Sequence, residues 1–427
     1  MSSRARPQPL YWAAARQVAS VDPLECGRQG SVLWDRPEAG ESFAGLGEAA
    51  TLSGKPSEVL QRIQAAPVRW LSEVPGVPGP WFGGIAFDPE RAPTQTWSGF
   101  GAARFILPEL AVARSSGRSW ALAFVEAATE EEARPALSAR LDEAESILDE
   151  GRTRSALPRV PVQRLGPETG EVAPQWRSLV EAALNAVDSG RLEKVVGARE
   201  IRRELPEGVT PREIARRLRV RHPACTTFLF TGADGACFLG ATPETLLRVE
   251  DGFLKTEALA GTLAPGQQAP SAKEVREHDV VVEGIRAALE VGSQWVEAEA
   301  TPSLHSFGPL VHLRTQIVAR LISGTTLATL VGALHPTPAV GGLPRKEALD
   351  FLRLHEGFDR GWYAGAVGWV DSRRAHLCVG LRSALVRGRE LRVFAGAGLV
   401  AGSDPDAEWI ETARKAEAVL SVFGGPT

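Results

Sequence analysis

The sequence predicts an α+β protein with antiparallel sheets. Toward the end of the chain, residues 363–370, 376–386 and 391–400 form three successive apolar runs, which predict a meander of strands. Earlier short apolar runs are separated by residues 232–235 and 251–252, whose sequences are typical of hairpin turns. Helical patterns interrupt the strands without a regular βαβ alternation, and this order favours antiparallel sheets over a parallel one.

The first 150 residues carry few motifs. They contain short apolar runs and a charged segment at about 130–150, which predicts a helix. Proline-rich residues from 157 to 174 follow and predict a link to the rest of the chain. The residue patterns alone assign no chemistry to this part.

Regular elements follow the link. Apolar residues recur with helical spacing after Trp176 and stop at Gly190. Thr210 and Glu213 have the spacing of a capping box and predict the start of a second helix, which carries a basic face. The predicted helices lie at about 176–187, 211–221, 271–291 and 309–322, and the predicted strands at 194–199, 228–230, 237–239, 245–249 and 253–254.

Composition narrows the class of protein. The chain has 427 residues, of which 44% are hydrophobic and 23% charged, and this balance is typical of a soluble protein with a large core. Its net charge of −4 gives no reason to expect a nucleic-acid partner. We expect no signal peptide and no membrane span, and therefore a cytoplasmic protein. Four scattered cysteines without zinc-binding spacing are expected to be reduced core thiols: Cys26, Cys225, Cys237 and Cys378.

Residues 394–415 combine bare backbone with a capped helix. Gly396 and Gly398 leave peptide groups uncovered, so that a planar or charged ligand can approach the main chain. Asp404 is the predicted N-cap of a helix whose first residue is Pro405. The glycines also match a dinucleotide-binding fingerprint, but that motif should open a βαβ unit, and only one helix fits in the remaining residues.

Two pairs of acidic residues share the same helical spacing. Glu408 and Glu411 lie three residues apart, and Lys415 follows on the same face of the predicted helix. Glu274 and Glu277 repeat this spacing at the start of another helix. The two pairs could converge on Mg²⁺, which takes oxygen ligands. Alternatively, the first group is a solvated ion-paired face, and the second is an acidic first turn that favours the helix dipole.

Several single residues are candidates for chemistry. Lys194 starts an apolar strand, where it is either a base with a lowered pKa or a charged residue that protects a sheet edge. Glu244 follows a strand at a proline-marked turn and is either a buried general acid or a turn residue. His312, Arg314 and Arg382 are candidate partners for carboxylates, although each could equally be a structural group.

Taken together, these motifs resemble the chorismate-utilising enzymes, and among them the isochorismate synthases. The resemblance is dense over about 175–423 and weak over 1–165. The matching motifs keep the order of the family and are residues 194–199, 241–244, 257–262, 277–278, 312–315, 334–342, 360–365 and 394–415. The resemblance implies a single chorismate-binding domain over 1–427, with a divergent N-terminal part at 1–165. It implies two packed antiparallel sheets with helices outside and the active site between them.

The resemblance also implies a set of site residues. Mg²⁺ would be held mainly by Glu277 and Glu411, with Glu274 and Glu408 acting through water. The substrate would be chorismate. The sequence leaves the oligomeric state open, and a monomer is one expectation. The residues that would contact chorismate are Gly261, Thr262, His312, Ala339, Tyr363, Arg382, Gly396, Gly398 and Lys415.

The implied reaction is an isomerisation of chorismate to isochorismate. Lys194 would take a proton from water as the water attacks C2, while Glu244 protonates the hydroxyl that leaves C4. Ala260 stands where aminodeoxychorismate synthases carry a nucleophilic lysine, and Lys194 argues against anthranilate synthase component I. Salicylate synthase, which goes on to eliminate pyruvate, is the main alternative; such enzymes usually have Thr where Ala339 stands. Menaquinone and siderophore biosynthesis both remain open as the route that uses the product.

Overall fold

A computed structural model describes residues 9–25, 30–72, 76–153, 172–263, 267, 269–307 and 310–423. Most of the predicted proline-rich link and Cys26 lie outside these residues. The predicted helix at 130–150 is present. The elements before the link are β1 (Tyr11–Val18), β2 (Val32–Arg36), β3 (Glu41–Leu46), β4 (Ala50–Ser53), α1 (Pro56–Ala65), β5 (Arg69–Trp70), β6 (Trp81–Ile85), β7 (Ala103–Leu107), β8 (Leu110–Ser115), β9 (Arg118–Glu126) and α2 (Glu130–Thr153).

The second part of the chain is richer in helices. None of the helices in the described residues is long and apolar enough to cross a membrane. The elements after the link are α3 (Pro174–Asp188), β10 (Lys194–Glu204), α4 (Pro211–Arg221), β11 (Thr226–Thr231), β12 (Cys237–Thr242), β13 (Thr245–Glu250), β14 (Phe253–Leu263), α5 (Ala272–Glu290), β15 (Ser293–Ala298), β16 (Ser303–Phe307), β17 (Leu310–Leu321), α6 (Leu327–Leu334), β18 (Gly342–Leu343), α7 (Arg345–His355), β19 (Ala366–Val370), β20 (Ala375–Val379), β21 (Ser383–Arg387), β22 (Glu390–Leu399) and α8 (Pro405–Leu420).

Two large sheets form the body of the protein. The first has the strand order β18-β10-β22-β21-β12-β11-β2-β3-β8-β9-β1-β5. The second has the order β15-β17-β14-β13-β20-β19-β6-β7-β4, with β16 paired to β17. The recorded pairings are antiparallel except that of β1 with β5. Both sheets contain strands from before and after the link, and the predicted α+β fold with antiparallel sheets is confirmed.

Aromatic side chains join the two sheets face to face. Phe43 of the first sheet stacks on Phe82 of the second with ring centroids 4.1 Å apart. Tyr11 meets Trp81 edge to face at 5.2 Å. These rings are buried in one core, which also takes in residues of α1, α3, α5 and α6. Helices α2 and α4 cover outer faces through separate clusters of apolar side chains. The layers are therefore helices outside two packed sheets.

Two neighbouring strand pairs cross from one sheet into the other. β12 belongs to the first sheet and β13 to the second, with Pro243 and Glu244 between them. Likewise, β20 lies in the second sheet and β21 in the first. The predicted single strand at 376–386 is therefore wrong, because the chain bends at residues 380–382, where Arg382 has a φ of +46°. Backbone hydrogen bonds tie the crossings together, from Val379 N to Glu244 O (3.0 Å) and from Ala241 N to Arg382 O (3.2 Å).

The predicted helix at 309–322 is also wrong. Residues Leu310–Leu321 form the long strand β17, which pairs with β14, β15 and β16. Leu313, Thr315, Ile317 and Ala319 are buried at every second position, which is the period of a strand. This alternation is typical of a strand that is buried on one face and agrees with the observed conformation.

The caps predicted from sequence are present. The Asp404 side chain accepts a hydrogen bond from Ala407 N (2.9 Å) at the start of α8. Thr210 does the same for Glu213 N (3.2 Å) at the start of α4. Each cap satisfies one of the backbone donors that a helix leaves unpaired at its N-terminus. These local signals therefore fix the starts of both helices.

Candidate active site

A cavity lies where the two sheets meet. Its empty volume is about 780 Å³, including the part that opens to solvent, and strands of both sheets line it. Four predicted site residues, Lys194, Glu274, Glu408 and Glu411, are not part of its lining. The eleven predicted residues that line the cavity are Glu244, Gly261, Thr262, Glu277, His312, Ala339, Tyr363, Arg382, Gly396, Gly398 and Lys415.

Lys194 lies just behind the cavity wall. It is the first residue of β10 and only 1% exposed, and its Nζ donates to Glu277 Oε1 at 2.9 Å. Gly398, on the paired strand β22, makes room for this contact. A Cβ at position 398 would lie 2.4 Å from Glu277 Oε1 and 3.1 Å from Lys194 Cε. The Lys194–Glu277 ion pair therefore fills the space that the missing side chain of Gly398 leaves above the backbone.

Glu244 is an acid kept uncharged by its surroundings. It stands at the crossing between β12 and β13 and is 3% exposed. Burial, and next the negative charge of Glu257, raise its pKa to about 8, against the lowering effects of Lys194 and Lys415. At neutral pH the carboxyl group therefore carries a proton that it can donate.

Glu257 and Arg314 form a buried pair beside Glu244. Arg314 Nε donates to Glu257 Oε2, and Glu257 Oε1 accepts from Thr245 N at 2.7 Å. Arg314 is therefore bound to a protein carboxylate and does not line the cavity, which fits the structural role that the sequence left open for it. Sequence reasoning gave Glu257 no role of its own, because its partner lies 57 residues away on another strand.

His312 and Arg382 line the wall formed by β14, β17 and the second crossing. Thr262 Oγ1 is 3.0 Å from His312 Nδ1, and Arg382 Nη2 is 3.5 Å from His312 Nε2. Because a guanidinium only donates, Nε2 is the acceptor and Nδ1 carries the proton that faces Thr262. Burial, and then the charges of Lys415 and Arg382, lower the pKa of His312 well below its usual value. The imidazole is thus neutral, and the cations beside it favour an anionic ligand.

Lys415 projects from α8 to the glycine strand. Its Nζ donates to Gly396 O at 3.0 Å and lies 2.7 Å from Glu411 Oε1. Burial lowers the pKa of Lys415, but Glu411 and then Glu277 outweigh burial and raise it, so the amine stays charged. At Gly396, a Cβ would lie 3.0 Å from the hydroxyl of Tyr363, whose pKa burial raises to about 12. The wall therefore presents an ammonium and a neutral phenol.

The four predicted metal ligands do not form one cluster of carboxylates. Glu274 Oε2 accepts from Ser271 N at 2.5 Å and caps α5, and Glu408 is buried in α8. Within the described ranges, no group of three or more His, Cys, Asp or Glu side chains could hold a metal ion. Glu277 and Glu411, however, both act on the ammonium of Lys415. Such a pair of carboxylates suits Mg²⁺, which keeps several waters and takes its other oxygens from the substrate.

Other cavity residues were not singled out from the sequence. Val196, Leu259, Leu381 and Phe394 give part of the wall an apolar surface, and Arg360 lies among them. Arg360 occurs in the motif at 360–365, but nothing local in the sequence distinguishes it from a surface arginine. Cations together with apolar walls suit a small ring that carries carboxylates.

The chain belongs to the chorismate binding enzyme family, whose pattern matches residues 3–424. A relative from Pseudomonas aeruginosa, named "Salicylate biosynthesis isochorismate synthase", is 36% identical over 450 aligned positions, covering 99% of this chain and 93% of the relative. The Bacillus subtilis isochorismate synthase MenF is 28% identical over 96% of this chain and 93% of its own length. The structure of MenF, the menaquinone-specific isochorismate synthase from Escherichia coli, superposes with a TM-score of 0.77 and 26% identity, covering 97% of this chain and 95% of that one.

Proposed function

We propose that this chain is an isochorismate synthase, which isomerises chorismate to isochorismate. Relatives that cover nearly the whole chain carry this name. The observation that carries the proposal is the uncharged Glu244 in the wall of a cavity that also holds the cations Arg382 and Lys415. The cations suit a ring that carries two carboxylates, and the neutral acid can protonate the hydroxyl that leaves the ring.

The residues divide the reaction between them. Arg382 and Lys415 bind the carboxylates of chorismate and hold the ring against the glycine strand. Lys194 starts the step as a neutral amine, released from its ion pair with Glu277, and takes a proton from a water molecule, whose oxygen forms a bond to C2. The ring double bonds shift, the C4–O bond breaks, and Glu244 gives its proton to the leaving hydroxyl, which departs as water. The enzyme is left with a protonated lysine and an ionised glutamate, which exchange a proton through solvent before the next turnover.

Mg²⁺ is part of the proposal. Glu277 and Glu411 would hold it, since their carboxylates suit this ion and both lie within electrostatic reach of Lys415. When bound, the ion would neutralise charge on a substrate carboxylate and help to orient the ring. Glu274 and Glu408 would act through water.

The residue at position 260 supports water as the nucleophile. Ala260 lines the cavity and has no amine, whereas a lysine at this position could attack the ring. With water as the nucleophile, isochorismate is the product. Salicylate synthase, the alternative that eliminates pyruvate from isochorismate, differs by one further step and is separated by its products.

The test is a product analysis. Purified protein is incubated with chorismate, with and without Mg²⁺, and the products are separated by chromatography while pyruvate is assayed. Isochorismate without pyruvate, formed only with the metal, is expected. Immediate pyruvate together with salicylate would contradict the proposal.

Two substitutions test the assigned chemistry. Lys194→Ala and Glu244→Ala are each expected to reduce turnover by at least about a hundredfold, because each removes one half of the acid–base pair. Circular dichroism checks that both variants keep the wild-type fold. Wild-type turnover in either variant would refute the mechanism.

The proposal extends to the domain organisation, the oligomeric state and the biosynthetic route of the enzyme. We propose one domain over 1–427, acting as a monomer in the cytoplasm without nucleic acid or membrane. The similarity to the menaquinone-specific enzyme of E. coli supports menaquinone biosynthesis as the first route to test, and the name of the P. aeruginosa relative adds salicylate biosynthesis as the second. Sedimentation of the purified protein would measure its mass in solution.

A further inference from the structure

The strand that carries Lys194 has a short neighbour on one side. β18 is two residues long and pairs with β10 at Lys194 and Val195. Val196 N then donates to Gly341 O at 2.9 Å. On its other side, β10 pairs with β22 along its length. Beyond the end of β18, the backbone of β10 needs other partners, since buried peptide groups are rarely left without hydrogen bonds.

A buried ion pair takes over the edge where β18 ends. Arg360 Nη2 donates to Val196 O at 2.5 Å, and Ala198 N donates to Glu356 Oε1 at 2.7 Å. Arg360 Nη1 also donates to Val340 O at 2.9 Å. Arg360 also donates two hydrogen bonds to the carboxylate of Glu356, at 2.7 and 2.6 Å. We call these two side chains the Glu356–Arg360 bracket. The bracket replaces the missing strand and connects β10 to the loop before β18.

Arg360 is occupied by the protein itself. Four of the five N–H groups of its guanidinium donate to Glu356, Val196 and Val340. The guanidinium also lies over the ring of Phe87, 4.1 Å from its centroid. Although Arg360 lines the cavity, it has little capacity left to bind a substrate carboxylate, in contrast to Arg382.

We infer that the Glu356–Arg360 bracket positions Lys194 for the reaction, by fixing the strand two residues after it and the loop that carries Ala339 and Val340. This inference rests on the proposed function. Lys194 and Val196 point to the same face of β10, so a shift of the Val196 carbonyl moves the amine as well. Misplacement of a reacting group by about 1 Å can lower a rate about a hundredfold.

The expected kinetic signature separates positioning from substrate binding. The groups assigned to the carboxylates of chorismate, Arg382 and Lys415, lie outside β10, at the second crossing and on α8. Ala339, on the loop that the bracket also fixes, offers the substrate only a methyl group. Loss of the bracket should therefore lower kcat about a hundredfold and change KM by less than about threefold. If Arg360 bound the substrate directly, KM would rise instead.

The test is the double variant Glu356→Gln/Arg360→Met. Removing both charges avoids an unpaired buried ion, so the variant is expected to fold. The matched control is Asp88→Asn/Arg353→Met, which removes the two-bond ion pair between Arg353 of α7 and Asp88. These two hydrogen bonds do not involve β10, so the control should keep wild-type kinetics. Hydrogen–deuterium exchange of the peptide over 194–204 should be faster in the double variant than in the wild type and in the control.

The possible outcomes decide the inference. Wild-type kcat in the folded double variant, or a raised KM with unchanged kcat, would overturn it. If the double variant does not fold, Glu356→Gln alone takes its place, because it keeps an acceptor for Ala198 N while weakening the hold on Arg360, and the same kcat loss is expected. If wild-type protein does not turn over chorismate, the proposed function fails instead, and unchanged amide exchange in β10 would still refute the bracket.

Discussion

Replacing Glu244 by glutamine should stabilise the folded protein at high pH while removing its turnover. The folded state holds the carboxyl group with a pKa of about 8, against an ordinary value of 4.5. Between these values the native state binds more protons than the unfolded state, so stability falls as the pH rises. Glutamine has no proton to lose and avoids this penalty.

The size of the effect follows from the two pKa values. Each pH unit between them corresponds to about 1.36 kcal/mol. The penalty is absent below pH 4.5, reaches about 3.4 kcal/mol at pH 7, and levels off at about 5 kcal/mol above pH 8. The Glu244→Gln variant should therefore gain stability relative to the wild type along this curve, added to a constant offset from altered hydrogen bonds.

Urea unfolding of both proteins at pH 5, 7 and 9, followed by tryptophan fluorescence, measures the difference. The contributions of other titrating groups to the free energy of unfolding cancel when the two proteins are compared at the same pH. Glu207→Gln, in an exposed turn, is the control and should differ from the wild type by less than about 0.5 kcal/mol at each pH. A difference between Glu244→Gln and wild type that does not change with pH would refute the assignment of an uncharged, buried acid.

Two further sets of variants probe the neighbours of the acid and of the lysine. Gly398→Ala should lower turnover at least about a hundredfold, because its Cβ would lie 2.4 Å from Glu277, whereas Gly332→Ala in α6 meets no atom within 4 Å and should keep full activity in the same assay. In the wild type, kcat/KM should fall as the pH rises through about 8, where Glu244 loses its proton. Glu257→Gln removes a charge that keeps this proton bound, so its kcat/KM profile should fall about one pH unit earlier; an unchanged profile would exclude electrostatic control by Glu257.

Local signals in the sequence predict the elements that depend on neighbouring residues. The caps at Thr210 and Asp404 are present in the structure, and the Lys194–Glu277 ion pair fills the space that Gly398 leaves open. The helix predicted at 309–322 is wrong, and the alternation around Leu313 and Thr315 is a local signal that favours the observed strand. The strand period is thus visible in the sequence.

The remaining features depend on contacts between distant residues. The crossing at Arg382 interrupts a run that reads as one strand, and a positive φ at an arginine has no sequence signal. The pairing of Arg314 with Glu257 and of Arg360 with Glu356 requires the fold. Residue patterns alone single out most of the candidate site residues, and the family resemblance assigns their roles and adds Gly261, Thr262, Ala339 and Tyr363. The structure adds which of them share one cavity.

The fold holds an uncharged acid close to the amines of Lys194 and Lys415, and the two crossings are part of the reason. Cations near Glu244 favour its ionised form, and a general acid must resist them. The crossings exchange backbone hydrogen bonds, so that Glu244 and Arg382 are fixed by the main chain rather than by a salt bridge with each other. Burial and the charge of Glu257, itself held by Arg314, then outweigh the cations. The raised pKa of Glu244 thus has two effects: it lowers the stability of the folded protein at neutral pH, and it keeps on Glu244 the proton that the reaction uses.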